Sequence, residues 1–180
     1  MLLNYLFVLV AFLIDGILNV FFPVQFNMEH MYFVPCIGLC AMILVNRKMK
    51  TTDAVILSIL FGLGYDFFYA NTMFFYTIVF LLLCGVTRLW AKQINESVIE
   101  SVSLCISTIF IKELMVYLFM LISNRTTIGF NSWLINRIFL TLLVNGILVS
   151  LLVFFTFVKE DYQQRKEVRM RKEERLPWLH

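Results

Sequence analysis

Charged side chains make up only 15% of this 180-residue sequence. Soluble domains carry about a quarter, so an ordinary soluble domain is excluded. Histidine is nearly absent, with His30 and His180 alone, and there is no His-Glu-x-x-His and no Gly-x-Ser-x-Gly. Zinc-hydrolase and nucleophile-elbow chemistry therefore lack their residues. The three prolines, Pro23, Pro35 and Pro177, leave long stretches free to run as unbroken helix. No basic group precedes Leu2 and no small-residue cleavage site follows the first apolar run, which reads as a retained first helix rather than a removed leader. Cys36, Cys40, Cys84 and Cys105 all fall inside apolar runs. Cys36 and Cys40 share a helix face, but two distant histidines do not complete a metal set. The cysteines read as small apolar residues, and no metal, cofactor or nucleic acid is expected.

What the sequence has is apolar length. Hydrophobic residues are 61% of the chain and mean hydropathy is +0.83. Apolar runs cover about residues 2–22, 31–46, 54–70, 73–90, 98–123 and 133–158. A span needs roughly 17 to 25 residues, so the second run is short. With Pro35 in its first turns, it is expected to stand with little tilt or in thinned bilayer. The Asn71-Thr72 break divides residues 54–90 into a helical hairpin with a tight turn. Arg47, Lys48, Lys50, Arg88, Lys92 and the cations from Lys159 to Arg175 fall on one side of this scheme, and Arg125 on the other. Cytoplasmic loops carry the Lys and Arg excess. The expectation is an all-α integral membrane protein with six spans over residues 1–158, both termini cytoplasmic, and a charged cytoplasmic tail over 159–180.

Local details follow. Thr51, Thr52 or Asp53 is placed to cap the third helix. The basic turn at 47–50 is a topology signal or a docking site for an acidic partner. In the tail, Asp161 with Arg165 and Glu167 with Arg171 are four apart, as in a solvated helix. Arg165, Lys166, Arg169, Arg171 and Lys172 put that helix near anionic lipid.

The informative residues are the polar ones inside the apolar runs. A charge at bilayer depth costs at least about 2.5 kcal/mol and normally faces protein or a wet cavity. The first run holds Asp15, with Asn19 one turn on. The third holds Asp66, with Gly62 one turn before it as a point of close helix approach. The fifth holds Lys112 and Glu113, and Ser101, Cys105 and Thr108 share the face of Lys112. The sixth holds Arg137, Thr141 and Asn145 at one-turn intervals. At 1.5 Å per residue, Asp15 lies roughly 18 Å from the cytoplasmic edge, Asp66 roughly 17 to 20 Å and Lys112 roughly 21 Å. Arg137 lies about 6 Å below the outer edge of a core about 30 Å thick. These depths predict one layer in which Asp15 and Asp66 neutralise Lys112 and Arg137, with Glu113 as a fifth member. Adjacent residues point about 100° apart, so Lys112 and Glu113 are not expected to pair with each other. The layer either fixes helix register or lines a groove, open outward or sideways, for a partner helix or ligand.

Phe61-Gly62 followed by Tyr65-Asp66 resembles the signature of MreD, the small integral membrane protein of the bacterial rod-shape machinery, in its Gram-positive form. Glu113 matches the glutamate of that family's fifth helix. Trp133, Arg137, Thr141 and Asn145 match the aromatic residue, arginine and Thr-x-x-x-Asn of its sixth. The likeness covers nearly the whole chain, with departures at Leu140, where members often have proline, and at Met73-Phe74, where they often have Leu-Gly. The resemblance implies a fold similar to the six-helix substrate-binding subunits of energy-coupling factor transporters. It implies a non-enzymatic role in the bacterial cell membrane: binding an MreC-type protein and, indirectly, MreB filaments and elongation-specific peptidoglycan synthases, so that wall growth keeps an elongated cell shape. The partner's transmembrane helix is then expected against the charged layer and outer loops. The rival reading is a transporter subunit that captures a vitamin in an outward pocket built on Asp15, Asp66, Lys112 and Arg137.

Overall fold

The computed structural model describes residues 2–22, 33–70, 72–91 and 97–175. Within them the chain is all-helical, without a strand: α1 (Leu2–Phe21), α2 (Ile37–Asn46), α3 (Thr51–Tyr65), α4 (Phe75–Ala91), α5 (Val98–Ile122), α6 (Phe130–Trp133) and α7 (Phe139–Arg175). Two single turns of π-helix join them, Asp66–Ala70 after α3 and Leu134–Ile138 before α7. Four helical segments are long and apolar enough to cross a membrane: Leu3–Phe21, Thr51–Ala70, Val98–Ile122 and Phe130–Lys166. Ile37–Asn46 and Phe75–Trp90 are apolar but shorter.

Helix α1 ends at Phe21, where Pro23 would remove a helical N–H. Helix α5 starts on Ser97, whose side chain accepts from the Glu100 N–H, and buries a stripe that includes Ser101, Cys105, Thr108 and Lys112. Its far end is closed by Asn124 in the left-handed region (φ 51°). There the Arg125 N–H donates to the Met120 carbonyl and the Asn124 N–H to the Leu121 carbonyl, the paired bonds of a Schellman stop. Helix α7 runs 37 residues, about 55 Å, so its charged end continues straight out of the apolar part. Asp161 and Arg165 pair on it at 2.9 Å. Glu167 and Arg171 lie outside the residues whose side chains are described.

Helix α2 departs most from expectation. Ten residues make only about 15 Å, and all ten are buried. The residues before it, Phe33 to Cys36, are non-helical and equally buried. Pro35 therefore precedes the helix rather than sitting within its first turn, and the other helices shield the short segment on all sides. Irregular backbone in an apolar interior persists only where protein satisfies its polar groups.

The bundle has two chemically distinct ends. At one, Arg88 donates to the Asn46 and Met49 carbonyls and to Thr51 Oγ1, Arg47 to Ser101 Oγ, Lys159 to Asn4 Oδ1, and Lys48 pairs with Glu160 at 2.8 Å. Lys50 occupies the cap position of α3, and no side chain caps it. This corrects the expected Thr51, Thr52 or Asp53 cap. The opposite end gathers the N-termini of α2 and α4, the C-termini of α1 and α5, and both π turns.

Candidate functional site

The polar residues singled out from sequence converge at this second end. Asp15 is 1% exposed and Asp66 1%, yet neither meets a cation among its described hydrogen bonds. Asp15 Oδ1 accepts from the Ile37 N–H at 2.8 Å and Oδ2 from the Gly38 N–H at 2.7 Å. It thus caps α2, whose own cap residue, Cys36, makes no side-chain capping bond. Gly38 makes room for this, since a Cβ there would lie 3.0 Å from both Asp15 Oδ2 and the Phe12 backbone.

Asp66 does the same for α4. Its Oδ1 accepts from the Tyr76 N–H at 2.9 Å and from Thr72 Oγ1, and its Oδ2 from the Thr77 N–H at 2.9 Å and Thr77 Oγ1 at 2.8 Å. Phe74, which precedes α4 with φ 59°, has no side chain to cap it. The carboxylate comes instead from the preceding π turn. Both aspartates answer the same demand: a helix N-terminus exposes unpaired N–H groups and partial positive charge, and an apolar interior supplies no water. Gly62 lets α3 and α4 close, because a Cβ there would stand 2.5 Å from Thr77 Cα.

The cations meet one carboxylate. Lys112 Nζ lies 2.6 Å from Glu113 Oε1 and Arg137 Nε 2.8 Å from Glu113 Oε2, all three at most 5% exposed. The expected pairing of Asp15 and Asp66 with Lys112 and Arg137 is therefore overturned, as is the expectation that Lys112 and Glu113 stay apart. Backbone directions 100° apart do not separate two long, flexible side chains, and a buried lysine takes the nearest carboxylate. Lys112 also donates to Cys36 Sγ at 3.4 Å, and the Tyr65 and Tyr76 rings lie 5.6 and 5.9 Å away. Thr141 and Asn145, one and two turns past Arg137, serve the non-helical segment. Thr141 Oγ1 accepts from the Val34 N–H. Asn145 accepts from the Cys36 N–H and donates to the Val34 and Thr141 carbonyls. The layer is thus joined through Cys36, Ile37 and Tyr76 rather than through aspartate-cation pairs, and it is closed by the protein's own side chains.

A cavity of about 430 Å³ opens beside the layer. Its walls include Asn19, Tyr65, Tyr69, Tyr76, Phe75, Phe119, Arg125 and Arg137. A smaller cavity of about 240 Å³ shares Val116, Met120, Arg125 and Arg137 with it and reaches Trp133, which stacks on Tyr117 at 4.7 Å between ring centres. Asn19 Oδ1 is buried without a hydrogen-bond partner among the described residues. A separate apolar groove of about 810 Å³ runs between α1 and α3, lined by Leu6, Leu9, Leu13, Leu60 and Phe68. Among the described residues no group of three or more His, Cys, Asp or Glu is placed to hold a metal.

Sequence reading found the buried polar residues and offered a groove or pocket beside them as one of two readings, but it mispaired the charges. Tyr65, Tyr69 and Tyr76 carried a usable signal, being tyrosines close to Asp66. The two π turns that deliver Asp66 and Arg137 had none, although such turns gather at functional sites. Set against protein-family models, curated proteins and solved structures, the chain matches none of them. Fold and site together define an all-helical protein with four helices long and apolar enough to cross a membrane, organised around a buried layer of ion pairs and capped helix ends.

Proposed function

We propose that this chain is a non-enzymatic, MreD-like membrane component of the bacterial cell-elongation machinery. In this reading it is a six-crossing bundle of the kind found in energy-coupling factor substrate-binding subunits, with both termini in the cytoplasm and the cavity facing outward. It binds an MreC-type protein and, through it, couples MreB filaments to peptidoglycan synthesis. The observation that carries the reading is where its signature residues fall. Gly62, Asp66, Glu113, Arg137, Thr141 and Asn145, drawn from remote parts of the sequence, each hold part of one buried layer.

Depletion in the native cell is the test. Rounded cells, with loss of an MreC-type protein from co-purification, are the expected outcome. A reporter fused after residue 180 should be active only in the cytoplasm. The aromatic cavity favours one alternative, capture of a vitamin for transport. A vitamin requirement with normal cell shape on depletion would select it and reject the elongation role.

A further inference from the structure

Two adjoining cavities share Arg125 and Arg137 in their walls, and among the described residues no carboxylate lines either. The described acids of the layer are turned away: Asp15 and Asp66 face backbone N–H groups of α2 and α4, and Glu113 holds Lys112 and Arg137. Lys112 stands behind two of the tyrosine walls, adding positive charge to the same side. Arg137 is 5% exposed and fixed by its 2.8 Å bond to Glu113. The Arg125 backbone is fixed by the Schellman stop of α5. Much of the remaining wall is aromatic and includes Phe68, which is 80% exposed. Asn19 Oδ1, buried and unpartnered among the described residues, is an acceptor available to a ligand N–H or O–H. A volume of about 430 Å³ lies in the range that takes small organic ligands, roughly 300 to 1,000 Å³.

From this we infer that the cavity is a binding site for an organic anion, a phosphate carried on a flat or apolar body. The phosphate sits between Arg125 and Arg137, and the body lies against Tyr65, Tyr76 and Phe119. Arginine forks suit phosphate oxygens, and aromatic faces take the body without demanding one shape. The same chemistry comes from two sources, a lipid headgroup or a soluble phosphate. The inference holds whether the protein belongs to a shape complex or to a transporter, because it uses only the cavity wall.

The fluorescent probe 1-naphthyl phosphate, titrated onto the full-length protein in phosphatidylcholine nanodiscs and read by polarisation, tests it. Saturable binding is expected, at least tenfold tighter than that of neutral 1-naphthol. Arg125→Gln, a change at an exposed side chain, should weaken it at least tenfold, and Lys166→Gln, at the opposite end, should leave it unchanged. If phosphatidylglycerol nanodiscs abolish probe binding, the natural occupant is a lipid headgroup; if they do not, it is a soluble phosphate. Equal binding of naphthol, an unaltered Arg125→Gln protein, or no saturable binding in phosphatidylcholine would overturn the assignment. Loss of cell shape on depletion is read separately, so either proposal can fail alone.

Discussion

Glu113 accepts from Arg137 Nε at 2.8 Å through one carboxylate oxygen while its other oxygen holds Lys112 at 2.6 Å. One buried acid thus neutralises two cations from two helices. Glu113→Gln removes the carboxylate that both cations share, and breaking a buried pair typically costs about 3 to 5 kcal/mol. A large fall in melting temperature in nanodiscs is expected. Glu113→Gln with Lys112→Met should recover a substantial part of it, because one of the two cations is gone. No recovery in the double variant would count against the shared carboxylate.

Asp66 offers a sharper contrast. As a cap on α4 it serves N–H groups, so Asp66→Asn, which keeps an acceptor, should be clearly milder than Asp66→Ala. Alanine strands the Tyr76 and Thr77 donors, at about 1 to 3 kcal/mol for each buried group. Removing a cation with Arg137→Gln should not rescue Asp66→Ala. Thermal unfolding of the three variants decides the matter, and rescue would restore the ion-pair reading.

Two glycines on facing helices of one hairpin should respond in opposite ways. Gly62→Ala drives a methyl to 2.5 Å from Thr77 Cα, an overpacking that costs about 1 to 3 kcal/mol. Gly85→Ala, in mid-α4 with nothing within 4 Å, should be neutral or stabilising by up to about 1 kcal/mol from helix propensity. Melting temperatures measured side by side provide the check.

Asn145 is the tie to the non-helical segment before α2. Asn145→Leu keeps bulk and removes the partners of the Cys36 N–H and the Val34 carbonyl. Faster amide hydrogen exchange is expected at residues 34–38, with α5 unaffected. Unchanged exchange at Cys36 would show that the bond is dispensable.

How much of this was legible in the sequence differs by kind. Which polar residues are buried could be read, because Asp15, Asp66, Lys112, Glu113 and Arg137 stand in apolar runs where exposure to lipid is costly. What each one touches could not. Charges are visible in a sequence, whereas a helix that begins inside the bundle is not, so the demand made by the α2 and α4 N-termini went unseen and the aspartates were matched to cations. The basic turn at 47–50 and the long α7 were visible as charge patterns. Cap geometry at Phe74 and the π turns depend on how neighbouring helices fit, which no local pattern encodes.

The buried stretch from Phe33 to Gly38 is completed by Asp15 from before it and by Thr141 and Asn145 from more than a hundred positions later. While the ribosome is still producing α3 to α5, half of that support does not yet exist. This part of the polypeptide gains its remaining hydrogen bonds only once the last long helix has been made. Truncations that end before Asn145 should therefore leave the Cys36 N–H and the Val34 carbonyl without their partner, however many apolar segments they retain.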